Sequence, residues 1–500
     1  MSIILVIIVA ATRLAAIMAD TSGQVVTTTS GTIRGIVRTT TTGSVNAFLG
    51  IPFAEPPIGE LRFKKPVPKK PWEGVLNTTA LPPLCPQSPA HVNAYFQVTE
   101  ADAMSEDCLF LNVFAPAGND ADLKPIVVYI HGGGFTFGGI SMKIFDPSEL
   151  AARGDLVVVV AAYRLGALGF LYMGVEDAPG NMGLYDQLLA LRWVRDNANA
   201  FGGDADKVTI MGESAGSISV GIHLISPKSE GLFRRAVMQS GSAFSNQLKM
   251  DKARSARKAR AIVTYFTCDK RENGSRNLSM KDFVACLRSK NYRDILKATE
   301  SFNPTKLDGF FPVAGEEFLP EKPGVLLERV APNAREVLVS VCAAEGDFFV
   351  YYLLTKLQRL NDINLLTKCQ VDLFLTAILT AITRAEPEEI IEHYFDHINL
   401  GNGTEVAYAA SDLLGDLLFL CPTLGFAKWL SSRQHTSVYA FLFSHKLSFL
   451  GWQEWMRPTH ADDIFFTLGS ALSMGVKPSG SDVKATEKFV DVISTFSHTG

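Results

Sequence analysis

The sequence predicts an α/β fold in which helices flank one large, mostly parallel central sheet. Short apolar segments with strand character alternate with segments of helical pattern, as they do in parallel α/β proteins. Hydrophobic residues make up 47% of the 500 residues, which is enough for a large core. No repeat, long charged block or low-complexity linker divides the chain. We therefore expect a single domain with long insertions.

The clearest predicted strands are short apolar segments, at 126–130, 156–161, 207–211, 236–239, 337–341 and 438–443. Helices are expected at 183–199, with Asn181 as a candidate cap, and directly after Ser214. The apolar residues 371–385 form a short segment that contains Asp372, which favours a buried helix over a membrane span. The proline-rich residues 52–89 predict an ordered, irregular surface segment.

Residues 1–19 have the pattern of an export signal. Residues 3–11 are almost wholly apolar, and small residues at Ala15, Ala16 and Ala19 fit a signal-peptidase site. A basic segment ahead of the apolar run is missing, and Arg13 follows the run instead. The run is too short to span a bilayer. We therefore predict a signal peptide at 1–19 and a secreted mature domain at 20–500.

Sequons and cysteines agree with export to an oxidising compartment. Asn-x-Ser/Thr sequons in polar, turn-rich surroundings give the predicted glycosylation sites Asn77, Asn273, Asn277 and Asn402. The seven cysteines fit oxidative folding, and their odd number leaves at least one thiol unpaired. The sequence therefore predicts an extracellular glycoprotein.

Charge and composition argue against several classes of partner. The formal net charge of −4 provides no basic field for nucleic acid or for an anionic membrane surface. No cysteine–histidine cluster has the spacing of metal ligands, so we expect neither a metal nor a cofactor. No membrane span is predicted in the mature chain, and the sequence does not fix the oligomeric state.

Residues 212–216 read Gly-Glu-Ser-Ala-Gly and match the G-x-S-x-G pattern of a nucleophile elbow. A predicted strand leads into this pentapeptide, and a segment of helical composition leaves it. Strand, sharp turn and helix are the context that exposes a reactive serine. The pentapeptide alone also fits an ordinary glycine–serine turn. With its context, it predicts an α/β-hydrolase fold with Ser214 as the nucleophile.

Residues 131–134 read His-Gly-Gly-Gly after a predicted strand and are similar to the HGGG element of esterases and lipases. Acyl transfer passes through an oxyanion, which needs N–H donors where the negative charge develops. Consecutive glycines let the backbone approach a substrate, although a glycine run alone also fits a flexible loop. We expect the amides of Gly133, Gly134 and Ala215 to form an oxyanion hole.

A serine nucleophile needs a base and a carboxylate to orient it, in the chain order Ser, Asp or Glu, His. His460 follows the last predicted strand by one loop, and His445, at the end of that strand, is the alternative base. Glu345 follows the strand at 337–341, and the local pattern favours it only modestly over Asp347. A histidine base predicts that activity falls below about pH 6.5.

Longer motifs make the chain resemble the type-B carboxylesterases, a family that includes the cholinesterases. Phe-Leu-Gly-Ile-Pro-Phe-Ala at 48–54 and Pro-Ile-Gly-Glu-Leu-Arg-Phe at 57–63 look like its N-terminal signatures. Ser-Glu-Asp-Cys-Leu-Phe-Leu-Asn at 105–112 looks like its second signature, and 212–217 like its active-site signature. The resemblance runs from Gly31 to the C-terminus. It implies a serine esterase that acts on small-molecule carboxylic esters.

The resemblance also implies the remaining members of the site. Glu-Gly at 345–346 followed by Phe-Phe at 348–349 looks like the family's acid motif. His460, followed by Asp-Asp at 462–463, looks like its histidine motif. The implied catalytic triad is Ser214, Glu345 and His460.

Two disulfides are implied by the same resemblance, Cys85 with Cys108 and Cys268 with Cys286. Cys342 and Cys369 have no evident family partner. The family continues beyond the segment that matches 490–500, and the usual partner of a cysteine matching Cys421 lies in that continuation. We therefore expect domain 20–500 to be C-terminally short, either as an incomplete gene product or as a natural form with Cys421 unpaired.

One departure from the family bears on the substrate. Cholinesterases hold a quaternary ammonium against a tryptophan that precedes the cysteine matching Cys108, because a cation binds an aromatic face. Residues 96–100 contain no tryptophan, although Phe348 and Glu213 remain as candidate groups. We expect a hydrolase of uncharged carboxylic esters. The alternatives are a cholinesterase-like hydrolase of choline esters and a non-catalytic adhesion or binding protein, which the complete set of triad residues disfavours.

Overall fold

The computed structural model describes residues 23–88, 103–118, 122–245, 250–269, 278–301, 309–356, 362–383 and 385–500. The predicted signal peptide, the sequons at Asn273 and Asn277 and the segment 96–100 lie outside these residues. Within them, the expected α/β fold with a mostly parallel sheet is confirmed.

The strands of the described residues are β1 (Val25–Thr28), β2 (Gly31–Arg34), β3 (Ile36–Thr39), β4 (Ser44–Pro52), β5 (Val75–Asn77), β6 (Phe110–Pro116), β7 (Lys124–Ile130), β8 (Val157–Ala161), β9 (Tyr172–Val175), β10 (Ala178–Pro179), β11 (Gly203–Glu213), β12 (Arg235–Gln239), β13 (Glu336–Cys342) and β14 (Ser437–Phe443). The central sheet has nine strands in the order β14-β13-β12-β11-β7-β8-β6-β4-β3. From β14 to β8 the strands run parallel, and β6, β4 and β3 continue the sheet antiparallel.

The helices are α1 (Ser148–Gly154), α2 (Gly166–Phe170), α3 (Met182–Asn197), α4 (Ala215–Ile225), α5 (Lys252–Tyr265), α6 (Met280–Arg288), α7 (Tyr292–Ser301), α8 (Pro323–Leu326), α9 (Asp347–Lys356), α10 (Lys368–Ile382), α11 (Pro387–Phe395), α12 (Gly403–Gly415), α13 (Cys421–Ser431), α14 (Ile464–Thr467) and α15 (Gly480–Thr499). A π-helical turn, Asp416–Leu420, joins α12 to α13. Short 3-10 turns occur at Gly59–Leu61, Lys143–Phe145, Ala198–Phe201, Pro227–Ser229, Ile363–Leu365 and Ser470–Leu472.

The central strands are mainly apolar because helices cover both faces of the sheet. Strand β8 reads Val-Val-Val-Val-Ala, and every residue in it is buried. All six predicted strands are present, with ends that differ by a few residues. The largest difference is at β11, which begins at Gly203 rather than at residue 207. The antiparallel strands β3, β4 and β6 were not predicted.

In the part of the chain that the structure describes, buried apolar residues form two separate clusters. The larger one surrounds the sheet and extends from Val26 to Phe496. The smaller one, called the helical cluster below, extends from Val350 to Phe419 and is built by α9 to α12 and the π-helical turn. The predicted buried helix at 371–385 belongs to it as α10, although Leu373 is 78% exposed.

The helices α12 and α13 and the turn between them form one continuous helix, Gly403–Ser431. Among the described residues it alone is long and apolar enough to cross a membrane by length and composition, and 44% of its most apolar window is buried. A core helix of a soluble protein meets the same criterion. This one contributes Val406 and Leu413 to the helical cluster and Phe426 and Leu430 to the larger one.

The structure contains both implied disulfides, Cys85–Cys108 and Cys268–Cys286. Cys342 is buried and unpaired, whereas Cys369 and Cys421 are exposed and unpaired. Among the described sequons, Asn77 is exposed at the end of β5. Asn402 instead caps α12, where its Oδ1 accepts a hydrogen bond from the amide of Thr404 at 3.1 Å.

Asn181 occupies the N-cap position of α3, as expected, but its side chain does not cap the helix. Its φ of 59° is left-handed, and its side chain makes no capping hydrogen bond to α3. The side chain instead bonds the backbone of Val313, with Oδ1 accepting from N at 2.6 Å and Nδ2 donating to O at 2.8 Å. The backbone of Val313 therefore provides the hydrogen bonds that the buried side-chain amide of Asn181 needs.

Candidate active site

The nucleophile elbow and the glycine-rich loop leave the same edge of the sheet. Strands β7 and β11 are parallel neighbours, and Gly212 is paired with Ile130 at their carboxyl ends. The turn after β11 therefore lies beside residues 131–134, which follow β7. A Cβ on Gly132 would lie only 3.1 Å from the Cβ of Ser214.

Ser214 lies at the apex between β11 and α4 with φ 55° and ψ −120°, a strained conformation for a residue with a side chain. Two glycines make the turn sterically feasible. A Cβ on Gly216 would lie 2.0 Å from the carbonyl oxygen of Ile130, and one on Gly212 would lie 2.5 Å from the carbonyl carbon of Gly216. This geometry exposes part of Ser214 while its neighbours Glu213 and Ala215 stay buried.

The predicted oxyanion-hole residues lie next to this serine in the fold. Gly133 and Gly134 have φ values of 104° and 60°, and a Cβ on Gly133 would lie 2.0 Å from the carbonyl oxygen of Phe137. Glycine is therefore required where the loop turns toward the elbow. Ala215 begins α4, and the amides of a helix's first turn have no partner within the helix.

The structure brings Glu345, His460 and Ser214 into one hydrogen-bonded chain. Nδ1 of His460 lies 2.6 Å from Oε2 of Glu345, and Nε2 lies 2.9 Å from Oγ of Ser214. An ionised carboxylate only accepts hydrogen bonds, so Nδ1 carries the proton and Nε2 accepts the serine hydroxyl. His460 is 6% exposed and Glu345 is 3% exposed, so little water competes for these bonds.

Glu345 is held by two further donors, which sequence reasoning missed. Its Oε1 accepts the hydroxyl of Ser240 at 2.6 Å and the amide of Cys342 at 2.7 Å. Ser240 directly follows β12, which lies between the strand of the nucleophile and the strand of the acid. The sheet order could have identified Ser240, but the linear sequence does not contain that order.

The structure separates the alternative acid and base from the serine. Asp347 is fully buried and paired with Arg457, whose Nη2 lies 2.8 Å from its Oδ1. The amide of Arg457 also donates to Oδ2 of Asp347 at 2.7 Å. His445 binds Asp482 at the start of α15, with 2.8 Å between Nε2 and Oδ1. Each alternative is therefore committed to another partner.

Arg457 links the loop of the acid to the loop of the base. It lies three residues before His460, and Asp347 lies two residues after Glu345. The same guanidinium reaches α12, where Nη2 donates to Ser411 at 3.1 Å and to Asp412 at 2.8 Å. The helix approaches the acid closely, because a Cβ on Gly346 would lie 1.9 Å from the carbonyl oxygen of Ser411.

Further carboxyl groups face the base. Oε1 of Glu213, which is 2% exposed, lies 3.3 Å from Nε2 of His460. Burial alone would lower the pKa of His460, but the charge of Glu213 and the hydrogen bond to Glu345 raise it above its ordinary value of 6.5. Burial raises the pKa values of Glu213 and Asp463 above the usual range of a carboxyl group. The base therefore lies in a water-poor environment lined with carboxyl groups.

Two other histidines near the sheet stay neutral. Burial lowers the pKa of His131 to about 4 and that of His223 to about 3. His131 stacks on Tyr163 at 4.4 Å between ring centroids, and His223 bonds Gln187 and Ser229. Both side chains are therefore structural. No group of three or more His, Cys, Asp or Glu that could hold a metal ion occurs in the described part of the chain.

Comparison with known proteins agrees with this geometry. The sequence model of the carboxylesterase family matches residues 22–500. An acetylcholinesterase of Bungarus fasciatus is 34% identical over 497 residues, which cover 97% of this chain and 80% of that protein. An acetylcholinesterase of Leptinotarsa decemlineata is 33% identical, covering 96% and 79%. A cholinesterase of Mus musculus is 36% identical, covering 90% and 75%. The chain therefore belongs to the carboxylesterase family and is a carboxylic ester hydrolase.

Proposed function

We propose that the protein hydrolyses carboxylic esters through an acyl-enzyme on Ser214, with His460 as base and Glu345 as the acid that orients it. The observation that carries the proposal is the hydrogen-bonded chain from Glu345 through His460 to Ser214. Oγ of Ser214 attacks the carbonyl carbon while its proton passes to Nε2 of His460. The amides of Gly133, Gly134 and Ala215 stabilise the oxyanion.

The second half of the reaction reuses the same groups. The tetrahedral intermediate collapses as His460 donates its proton to the leaving alkoxide, and the acyl group stays on Ser214. Water then attacks the acyl carbon while His460 takes a proton from it. His460 returns this proton to Oγ of Ser214 as the bond between Oγ and the acyl carbon breaks and the carboxylic acid leaves. Glu345 remains ionised and stabilises the imidazolium formed in each half. None of these steps needs a metal or a cofactor.

For the substrate we propose uncharged esters rather than choline esters. The absence of tryptophan at 96–100 supports this choice. A choline ester is the second candidate, because Glu213 supplies a negative charge and two of the relatives are acetylcholinesterases.

A pair of isosteric substrates distinguishes the uncharged-ester proposal from the choline-ester candidate. For one acyl group, kcat/KM is measured on the choline ester and on the 3,3-dimethylbutyl ester, which has the same shape without the charge. We expect the uncharged ester to be hydrolysed at least as efficiently. A preference of about 10-fold or more for the choline ester would establish a cation site and overturn the uncharged-ester proposal. No hydrolysis of any short-chain ester would favour a non-catalytic binding protein.

We further propose that residues 20–500 form a single secreted catalytic domain after removal of 1–19, and that Asn77 carries sugar. The two disulfides support an oxidising compartment, and the exposure of Asn77 supports its modification. Expression in a secreting host tests both points. The medium should contain a protein whose N-terminus lies near residue 20 and whose mass falls on deglycosylation, with a smaller fall for Asn77→Gln. Retention of 1–19 in the secreted protein would contradict the signal peptide.

A further inference from the structure

We propose that Phe419 is a positioning residue for the base, because its ring covers one face of the His460 imidazole and holds it in the plane that joins Glu345 to Ser214. The two ring centroids are 4.1 Å apart with an angle of 33° between the planes. Phe419 is 7% exposed, so the contact lies almost entirely inside the protein. The proposal rests on the proposed role of His460 as base.

The backbone at Phe419 is unusual and has a cause in the sequence. Phe419 lies in the π-helical turn Asp416–Leu420, within the otherwise α-helical segment Gly403–Ser431. Pro422 has no N–H to donate to the carbonyl of Leu418, four residues earlier, so the regular α-helical pattern breaks here. A π-helical turn changes the direction of the side chains that follow it, and such turns are frequent at functional sites.

The ring of Phe419 and the turn that carries it each have a further contact. Phe349 stacks on it, with centroids 5.7 Å apart and an angle of 26°, and Phe349 also lies 5.9 Å from His460. At the start of the turn, Asp416 accepts the hydroxyl of Tyr394 at 2.8 Å. The helical cluster thus contacts the base through Phe419 and through Phe349, which packs against the cluster.

The contact suits the charge that develops in the reaction. His460 becomes an imidazolium when Ser214 attacks, and an aromatic face attracts a cation. Glu345 at Nδ1, Glu213 near Nε2 and the nearby Asp463 also favour this cation, but they act from the edge of the ring or through space. Phe419 acts on the face and excludes water from it. We therefore expect the ring to contribute to kcat more than to substrate binding.

Phe419→Leu tests the inference because it keeps an apolar side chain and removes the aromatic face. We expect kcat to fall about 5- to 30-fold, corresponding to a cation–π contribution of one to two kcal/mol, with KM changed by less than about twofold. Without the aromatic face the imidazolium is less stable, so the pKa of His460 falls. The acidic limb of the pH profile of kcat/KM, where activity is lost as His460 is protonated, should therefore move to lower pH. Phe419→Tyr keeps the face and should restore most of kcat and the limb.

Phe426→Leu is the matched control, since Phe426 is a fully buried aromatic on the same long helix. Its ring contacts are with Phe244 and Trp429. This control should lower the melting temperature while the acidic limb stays in place. If F419L behaves like F426L, with kcat within twofold and no shift of the limb, Phe419 is only a packing residue and the inference is overturned.

Two further variants keep the outcomes distinct. If F419L does not fold, F419M is measured in the same way, because the flexible methionine fills the volume without a π face. His460→Gln separates this inference from the proposed function. Loss of activity in H460Q together with unchanged kinetics in F419L contradicts only the role of Phe419. Full activity in H460Q would contradict the base itself.

Discussion

Ser214 lies in the sharp turn between β11 and α4, whereas His460 lies on a long irregular segment after β14. The turn is fixed by the backbone, since two glycines accept approaches that no side chain would allow. The segment of His460 is fixed by side chains that come from distant parts of the chain: Glu345, Phe419 and Arg457 with its partner Asp347.

Substitutions in the two regions should therefore affect stability and activity differently. One added methyl group in the elbow meets backbone atoms that cannot move away, so a single change there disrupts the fold locally. Around the base, each contact contributes a part of the positioning, so single changes should reduce activity by degrees. The changes below begin with the elbow and proceed to weaker contacts around the base, from the largest expected effect to the smallest.

Gly216→Ala should have the largest effect, because its Cβ would lie 2.0 Å from the carbonyl oxygen of Ile130. We expect destabilisation by about 4 kcal/mol or more, together with loss of esterase activity. Thermal unfolding and ester hydrolysis measure both. Gly480→Ala is the control, since nothing lies within 4 Å of its added Cβ, and it should resemble the wild type. Normal stability in G216A would contradict the backbone-held elbow.

Glu345→Gln should lower kcat on the order of 10⁴-fold, because the amide cannot stabilise the imidazolium and favours the wrong tautomer of His460. The melting temperature should change far less than in G216A. Steady-state kinetics on a short-chain ester give the result. Glu388→Gln, on the exposed surface of α11, is the matched control. If Asp347→Asn, rather than E345Q, removed activity without unfolding the protein, the acid would be misassigned.

Arg457→Gln should cost about 2 kcal/mol, because it leaves the buried Asp347 without its cation while the guanidinium itself is 32% exposed. The loops of Glu345 and His460 then lose a common anchor, so kcat should fall by less than 100-fold. Denaturant titration and kinetics test both numbers. Arg329→Gln breaks only a surface ion pair with Glu321 and should cost at most about 0.5 kcal/mol. Equal losses of stability and of kcat in the two variants would show that Arg457 does not hold the loops of Glu345 and His460 together.

Glu213→Gln should have the smallest effect on the maximal rate and a clear effect on its pH dependence. The base acts when neutral, so activity is lost as pH falls through the pKa of His460, which Glu213 and Glu345 raise against the effect of burial. The wild-type limb should therefore lie above pH 6.5. Removing the charge of Glu213 lowers that pKa and moves the limb of kcat/KM down by about one pH unit. A limb that stays or rises would refute this electrostatic contribution.

Sequence alone predicted what is encoded locally. The strand, G-x-S-x-G turn and helix around Ser214 occupy neighbouring positions in the chain, so their pattern is sufficient to predict both structure and chemistry. The same holds for the glycine run at 132–134, where steric limits on the backbone determine the residue type. The acid and base were weaker predictions, because Glu345 and Asp347 have the same local context until the resemblance to a family is considered.

Contacts between distant segments could not be predicted. Ser240 reaches Glu345 only because β12 lies between β11 and β13, and Arg457 meets Asp347 only after two loops converge. Phe419 looks like any apolar residue of a buried helix, and only Pro422 nearby indicates a change in the helix. The pairing of β4 with β6 and of β6 with β8 was missed for the same reason, because these strands are far apart in the sequence. β3 and β4 instead form a local hairpin, which was also not predicted.

Covalent labelling of the serine tests the central claim most directly. The full chain is treated with an organophosphate, which phosphorylates an activated serine, and the adduct is located by peptide mass mapping. We predict a single adduct on Ser214, no labelling of Ser214→Ala, and much slower labelling of His460→Gln, which retains the elbow without the base. Labelling of S214A at the wild-type rate would contradict the assignment of the nucleophile and with it the proposed mechanism.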